Sequence, residues 1–462
     1  MPEMAGTMSN GDGLLKDKDS DVANNNVSLA NGDAVNGNNG PPPPGPGPNV
    51  SDGTSDWIDA ALVAEAVGAD PSAVRDLEVE AAVAAGDNYC SCMWRVRARV
   101  GDRAVSLIVK APPRGELMQD FVTRLGFFTK ETRMLKETLP AMRALAERRC
   151  GPDHILAQQM GPTSLPCSVP GVLVMEDLSL NGFRNKERQP QLDMVHCKRA
   201  LEMLARYHAL SVALHREDPA AVEDYGEPLY LRHQDPQTEE FARMHNEAQL
   251  AKFAGQVDVW EGTKGKGYGE KMLPLSKHIY DNLCDLVAPS PTGINVLNHG
   301  DFWINNMMFT YDADDVDLAN PKDVRLIDLQ LVRFSSPALD LQYFIVTSCK
   351  QEVREERLDE LLQTYCDHFN EYTSALGLED ARWTLGKLRD EFLSKSLFGF
   401  AAVYTVMCAV VADPEDRLQV DNIKKEDMAN GGDVTSKAWA GKNYQRILPG
   451  VLEFFARAGV LD

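Results

Sequence analysis

Two apolar runs that each end in an acid limit what this chain can fold into. The first, Val296–Phe309, reads VLNHGDFWINNMMF, and the second, Val324–Arg333, reads VRLIDLQLVR. Each opens as a short strand and then delivers a carboxylate, Asp301 in one and Asp328 in the other. Asn306 stands at the fifth position after Asp301. An acid, an amide five positions on and a later acid at a strand end form the layout of metal-assisted phosphoryl transfer. One carboxylate orients a hydroxyl, while the amide and the second carboxylate hold Mg²⁺ on the phosphates of ATP. Each piece alone reads equally well as a turn or a strand end; their order and apolar framing point to chemistry. Only eleven residues separate Asp328 from Asp340, in a stretch where a protein kinase fits a long activation segment. The acceptor is therefore expected to be a small molecule bearing a hydroxyl.

The formal net charge of −22 argues against a nucleic-acid partner, which demands a basic face. It also disfavours anionic membrane surfaces. Nine scattered cysteines include one close pair, Cys90 and Cys92, with no second pair to complete a zinc site. Reduced thiols in a cytoplasmic, monomeric protein are expected. The opening MPEMAGTMSN lacks the basic region and apolar core of a signal peptide. The most apolar run, Leu397–Ala412, falls short of the roughly 20 residues of a membrane span and reads as a buried helix.

Residues 1–55, rich in Asn, Gly and Pro, are expected to form a disordered tail. A helix capped by Ser55 or Asp56 should follow. Period-two strands at Leu77–Val83 and Cys92–Val100 flank a Gly86-Asp87-Asn88 turn, which reads as a nucleotide lid or as an ordinary β-turn. A third strand ends in Lys110, a candidate phosphate lysine. The chain has no GxxxxGK[ST], which excludes a Walker loop. Helical text from Phe121 to Cys150, with a break at Pro140, offers Glu131 as the carboxylate that steadies the lysine, with Glu137 and Glu147 as alternatives. Gly171–Met175 is a buried strand running into a linker, where the backbones of Glu176 and Leu178 are candidates for an adenine edge.

Leu192–Leu214 is a strong amphipathic helix, and His208 on its apolar face reads as a core residue. The stretch from Glu217 to Gly269 reads as irregular and polar, with aromatics suited to acceptor contacts, and Leu273–Leu286 as a helix. His299 reads as loop scaffold, Trp303 as packing and Arg333 as a surface residue. Asp340 either caps the next helix or accepts backbone N–H groups of the loop at Asp301. These readings assemble into an α+β, two-lobed kinase-like fold: a small β-rich lobe over residues 56–178 and a large α-rich lobe over 179–462.

HGDFWINNMMF, IDLQ and SSPALDLQYF together resemble the ecdysteroid kinase-like family of arthropods, a branch near choline and aminoglycoside kinases. GDNYCSCMWRV, LIVKAPP, LVMEDLSLNGF and LARYHALS agree with it. The resemblance implies Asp301 as the catalytic acid, Asn306 and Asp328 as metal ligands, Lys110 on the phosphates and Glu131 as its partner. Leu329 stands where the family has Phe. It further implies phosphorylation of a hydroxyl on an ecdysteroid or a xenobiotic alcohol. A kinase of another small alcohol, choline-like among them, and a non-catalytic steroid-binding protein of the same fold remain open.

Overall fold

The computed structural model describes residues 54–83, 90–113, 116–232, 236–413 and 436–461. Nearly all of the Asn/Gly/Pro-rich tail and the turn at Gly86 lie outside the described residues. Five strands form an antiparallel sheet in the order β1-β2-β3-β5-β4. They are β1 (Val74–Ala81), β2 (Cys92–Val100), β3 (Arg103–Ala111), β4 (Ser164–Leu165) and β5 (Leu173–Glu176). The alternating text of β2 sets its two faces, since successive side chains of a strand point opposite ways. Trp94, Val96 and Ala98 are buried; Arg97 and Arg99 are exposed.

Helix α1 (Ala60–Val67) covers that apolar face with Leu62, Val63 and Ala66. Its cap is Asp59, not Ser55 or Asp56. The Asp59 carboxylate accepts the N–H groups of Ala61 and Leu62 at 2.9 and 3.0 Å. Trp57 precedes the helix and meets Trp94 edge-on, with ring centroids 5.7 Å apart.

The helical text after β3 breaks twice. It yields α2 (Glu116–Arg124), α3 (Phe127–Arg133), a π turn at Met134–Thr138 and α4 (Leu139–Cys150). Gly126, at φ 68°, separates the first two. Pro140 opens α4, where a missing N–H does no harm. Met134, Leu135 and Leu139 join Ile108 and Met175 of the sheet in the large core.

The α-rich part is built on α5 (Met194–Glu217), whose first turn is capped by Asp193. The region expected to be irregular contains the single turn α6 (Ala220–Glu223) and the 22-residue α7 (Pro236–Val257). Its fully buried apolar residues, Leu250, Phe253 and Val257, sit only towards its C-terminus. The front half carries Arg243, which pairs closely with Asp281 at 2.6 Å and more loosely with Glu239 and Glu247 one turn away, and such charged positions leave no apolar stripe to read. The helix expected at Leu273–Leu286 is two, α8 (Tyr268–Ser276) and α9 (Ile279–Val287), and Pro274 removes a donor near the break.

Two small antiparallel ladders carry the acidic motifs. One pairs β6 (Val296–Asn298) with β9 (Arg333–Ser335); the other pairs β7 (Met307–Thr310) with β8 (Asp323–Leu326). Helix α10 (Ala338–Ser348) follows, then α11 (Gln351–Glu356), α12 (Leu358–Ala375), α13 (Leu385–Ser394) and α14 (Ser396–Ala402). Helix α12 packs along α5. Phe400, Val403, Tyr404 and Met407 of the most apolar run are buried in the core. Among the described residues no single helix is long and apolar enough to cross a membrane. None of the nine cysteines forms a disulfide.

Where the sheet hands over to the helical part, buried Asp177 accepts Arg95 Nε at 2.9 Å and Ser106 Oγ at 2.7 Å. Its other oxygen caps the turn at Ser179. Asp177→Ala strips both sheet residues of their partner, and a loss of about 2–4 kcal/mol in urea unfolding is expected.

Candidate active site

The loop Asn298-His299-Gly300-Asp301 leaves β6 under tight control. Asp340, in the first turn of α10 and 1% exposed, accepts the N–H of His299 at 2.7 Å and of Gly300 at 3.0 Å. Of its two possible roles it thus takes that of loop anchor. Burial would raise the Asp340 pKa, but the hydrogen bond and charge of His208 and the Gly300 N–H hold it below the ordinary carboxylate value. His208 is a core residue: Nε2 meets Asp340 at 3.1 Å and Nδ1 meets Tyr365 at 2.8 Å. Burial lowers its pKa, against the pull of the Asp340 carboxylate. His299 Nε2 reaches the Ile327 carbonyl at 3.0 Å, tying this loop to the strand that delivers Asp328. Gly300 has φ 81°, and a Cβ there would stand 1.9 Å from the Leu331 carbonyl oxygen. Only glycine fits.

Asp301 Oδ1 accepts the Tyr343 hydroxyl at 2.5 Å, and Oδ2 accepts Asn306 Nδ2 at 2.7 Å. Burial raises the Asp301 pKa above its ordinary value; the Tyr343 bond opposes the rise and the charge of Asp328 adds to it. Asn306 Nδ2 also donates to the Asp301 carbonyl at 3.0 Å, which turns its Oδ1 the other way. The Asn306 carbonyl accepts the Ile327 N–H at 3.0 Å and so joins the two motif loops.

Asp328 sits at φ 61°, in the left-handed region. Its Oδ1 lies 2.5 Å from Lys110 Nζ, and Glu131 Oε2 lies 2.6 Å from the same atom. Burial alone would favour the neutral amine, but Asp328 and Glu131 outweigh it and raise the Lys110 pKa. The lysine keeps its proton. Lys110, Glu131, Asp328, Asn306 and Asp301 thus form one connected set. Glu137 and Glu147 stand outside it.

Glu176 and Leu178 do not join this set. The Glu176 N–H donates to the Thr163 carbonyl at 2.9 Å, and its carboxylate accepts Gln159, Thr163 and Asn181. The Leu178 carbonyl accepts the Phe183 N–H at 3.3 Å. A 3₁₀ turn over Leu178–Asn181, capped by Asp177, follows directly.

Arg333 is not at the surface. It is 2% exposed, and its guanidinium lies 5.4 Å from the Phe398 ring centroid. Pairing with Asn298 in the β6–β9 ladder carries it inward. Trp303 packs, as its apolar neighbours suggest. A cavity of about 570 Å³ abuts the loop, with Gly300, Leu331, Tyr343, Phe241, His245 and Phe398 among its lining residues. Tyr343 has no flag in the sequence beyond standing in an apolar helix three residues after Asp340.

The model of the ecdysteroid kinase-like family matches residues 85–378 of this chain. No curated protein matches it. Among solved structures, a choline/ethanolamine kinase family protein from Mesorhizobium loti is similar at 12% identity, over 81% of this chain and 92% of that one, with a TM-score of 0.32.

Gly300→Ala should force the loop off Leu331. Strain at positive φ plus the clash predicts a loss of roughly 3 kcal/mol or more, read as a fall in Tm, with Asp301 displaced from Tyr343.

Proposed function

The chain belongs to the ecdysteroid kinase-like family, and on that premise we propose that it transfers the γ-phosphate of ATP to a hydroxyl of an ecdysteroid or a similar rigid alcohol. The observation that carries this reading is a partly buried carboxylate, Asp301, held by Tyr343 and Asn306 at the edge of an apolar cavity. Lys110, steadied by Glu131, reaches Asp328, where it can neutralise the phosphates.

Asn306 and Asp328 fit a divalent cation. Both present hard oxygen donors, and Mg²⁺ takes few protein ligands when water and phosphate supply the rest. The repulsion by which Asp328 raises the Asp301 pKa is one that a cation held by Asn306 and Asp328 would relieve. Bound there, Mg²⁺ offsets charge on the transferring phosphoryl group. Asp301 orients the acceptor hydroxyl and takes its proton, with the Tyr343 hydroxyl marking where that hydroxyl approaches Oδ1. Little covalent work is asked of the protein; positioning and charge neutralisation lower the barrier.

The cavity favours a neutral acceptor over a cationic one such as choline. Arg333 is buried in its wall and already occupies the face of Phe398, so a second cation meets repulsion instead of an aromatic cage. The volume suits a drug-sized rigid molecule. Retention of all five polar residues speaks against a non-catalytic binding protein.

The test is phosphate transfer from Mg-ATP to a panel of ecdysteroids and other alcohols. Asp301→Asn should lower kcat by about 10³-fold with binding preserved. Loss of transfer in the wild type towards every acceptor would end the kinase reading. Asp301 must be ionised to act, so activity falls as pH drops through its raised pKa. Tyr343→Phe removes a bond that lowers that pKa, and the acid limb of kcat/KM against pH is expected to move to higher pH.

A further inference from the structure

Arg333 enters the cavity wall with hydrogen-bonding capacity that the described residues do not use. It is 2% exposed, and neither Nε nor Nη1 has a hydrogen-bond partner among them. The nearest carboxylate oxygen, Glu227 Oε2, forms a loose ion pair with Nη1 at 3.4 Å and accepts no hydrogen bond among the described residues. Glu227 is held back by its other oxygen, which accepts the N–H groups of Leu229 and Tyr230 at 2.8 and 3.2 Å. A buried guanidinium without full partners is costly, and structures that keep one generally give it a ligand or a role. A second cation lies close by. Lys130 donates to the Gly226 carbonyl at 3.2 Å, and burial, with the charge of Arg333, brings its pKa down to about 8 against the opposing pull of Glu227. Arg333 and Lys130 thus share one acid, Glu227, beside a cavity whose lining mixes apolar side chains with Asn246, Gln249 and the Arg124–Asp120 ion pair.

We infer that the acceptor cavity recognises, through the guanidinium of Arg333, a hydrogen-bond-accepting oxygen on the acceptor, keto or carboxylate, distinct from the hydroxyl that reacts. The inference deepens the kinase reading by naming the acceptor class, and it rests on that reading for the identity of the cavity. The acceptor is then a largely apolar alcohol with two oxygen functions. One meets Asp301 and the other meets Arg333. Because Asn298, the ladder partner of Arg333, lies three residues before Asp301, the two contacts sit on one rigid unit. Their fixed separation selects which hydroxyl of a polyhydroxylated acceptor faces the phosphate.

The experiment measures binding and turnover separately on the full chain. Calorimetry compares dehydroepiandrosterone, a hydroxysteroid with a distal ketone, with its deoxo analogue, in which a methylene replaces the ketone; lithocholate supplies the carboxylate arm. The wild type should bind the ketone roughly 10- to 100-fold more tightly than the deoxo compound, the worth of a hydrogen bond to a charged group. In Arg333→Met the ratio should collapse towards one. Glu227→Gln, which removes the competing carboxylate, should tighten lithocholate and leave the deoxo compound unchanged. Equal binding of ketone and deoxo compound by the wild type, binding of neither, or a ratio that survives Arg333→Met would overturn the inference. Should Arg333→Met melt below the assay temperature, an unchanged lithocholate affinity in Glu227→Gln overturns it. Discrimination in binding without phosphate transfer leaves the inference standing and removes the kinase reading. Transfer to alcohols without discrimination removes the inference alone.

Discussion

A single buried ammonium holds the two halves of the molecule in register. Lys110 comes from β3, while its two carboxylates come from α3 and from the loop after β8. Sheet, helix and acidic loop are therefore fixed to one point. A buried charge tolerates such a position only while its partners stay in place, because removing one leaves the others uncompensated. The register of β3, with Lys110 opposite Met93 on one side and Leu173 on the other, follows from the same requirement. A shift of one residue would turn Lys110 to the far face of the sheet.

A second anchor works on the opposite lobe by different means. Asp340 fixes the backbone of His299 and Gly300, not a side chain, and it is held in turn by His208 from α5. The position of Asp301 therefore depends on packing between α5, α10 and α12, well behind the cavity. That arrangement leaves the cavity side free to vary. Its outer wall comes from α7 and its polar floor from Arg333.

What could be read from the residues alone was local in character. The period-two text of β2, the spacing of Asp301 and Asn306, and the apolar run before Asp328 each state their own geometry within a few residues. What could not be read depended on distant partners. A charged residue at the end of an apolar run looks like the point where a strand meets water; Arg333 is buried because β9 pairs inward with β6. Helix α7 is polar along its front half, where Arg243 pairs with Asp281 of α9, so the stretch reads as loop. Asp59 outcompetes Ser55 and Asp56 as a cap because the helix starts where its apolar residues can reach Trp94 and Val96. Glu176 closes β5 and Leu178 opens a 3₁₀ turn, a handover that backbone groups, which carry no label in a sequence, do not announce.

The left-handed backbone at Asp328 has an evolutionary side. Among residues with a side chain, Asp and Asn tolerate that conformation best, and glycine adopts it freely. Glutamate would keep the charge but not the backbone; asparagine and glycine keep the backbone and discard the charge. A lineage under weak selection for chemistry but firm selection for folding drifts most cheaply along the second route. The loop conformation thus outlives the reaction, and a descendant that has lost transfer is recognised at this one position sooner than by any change in its overall shape.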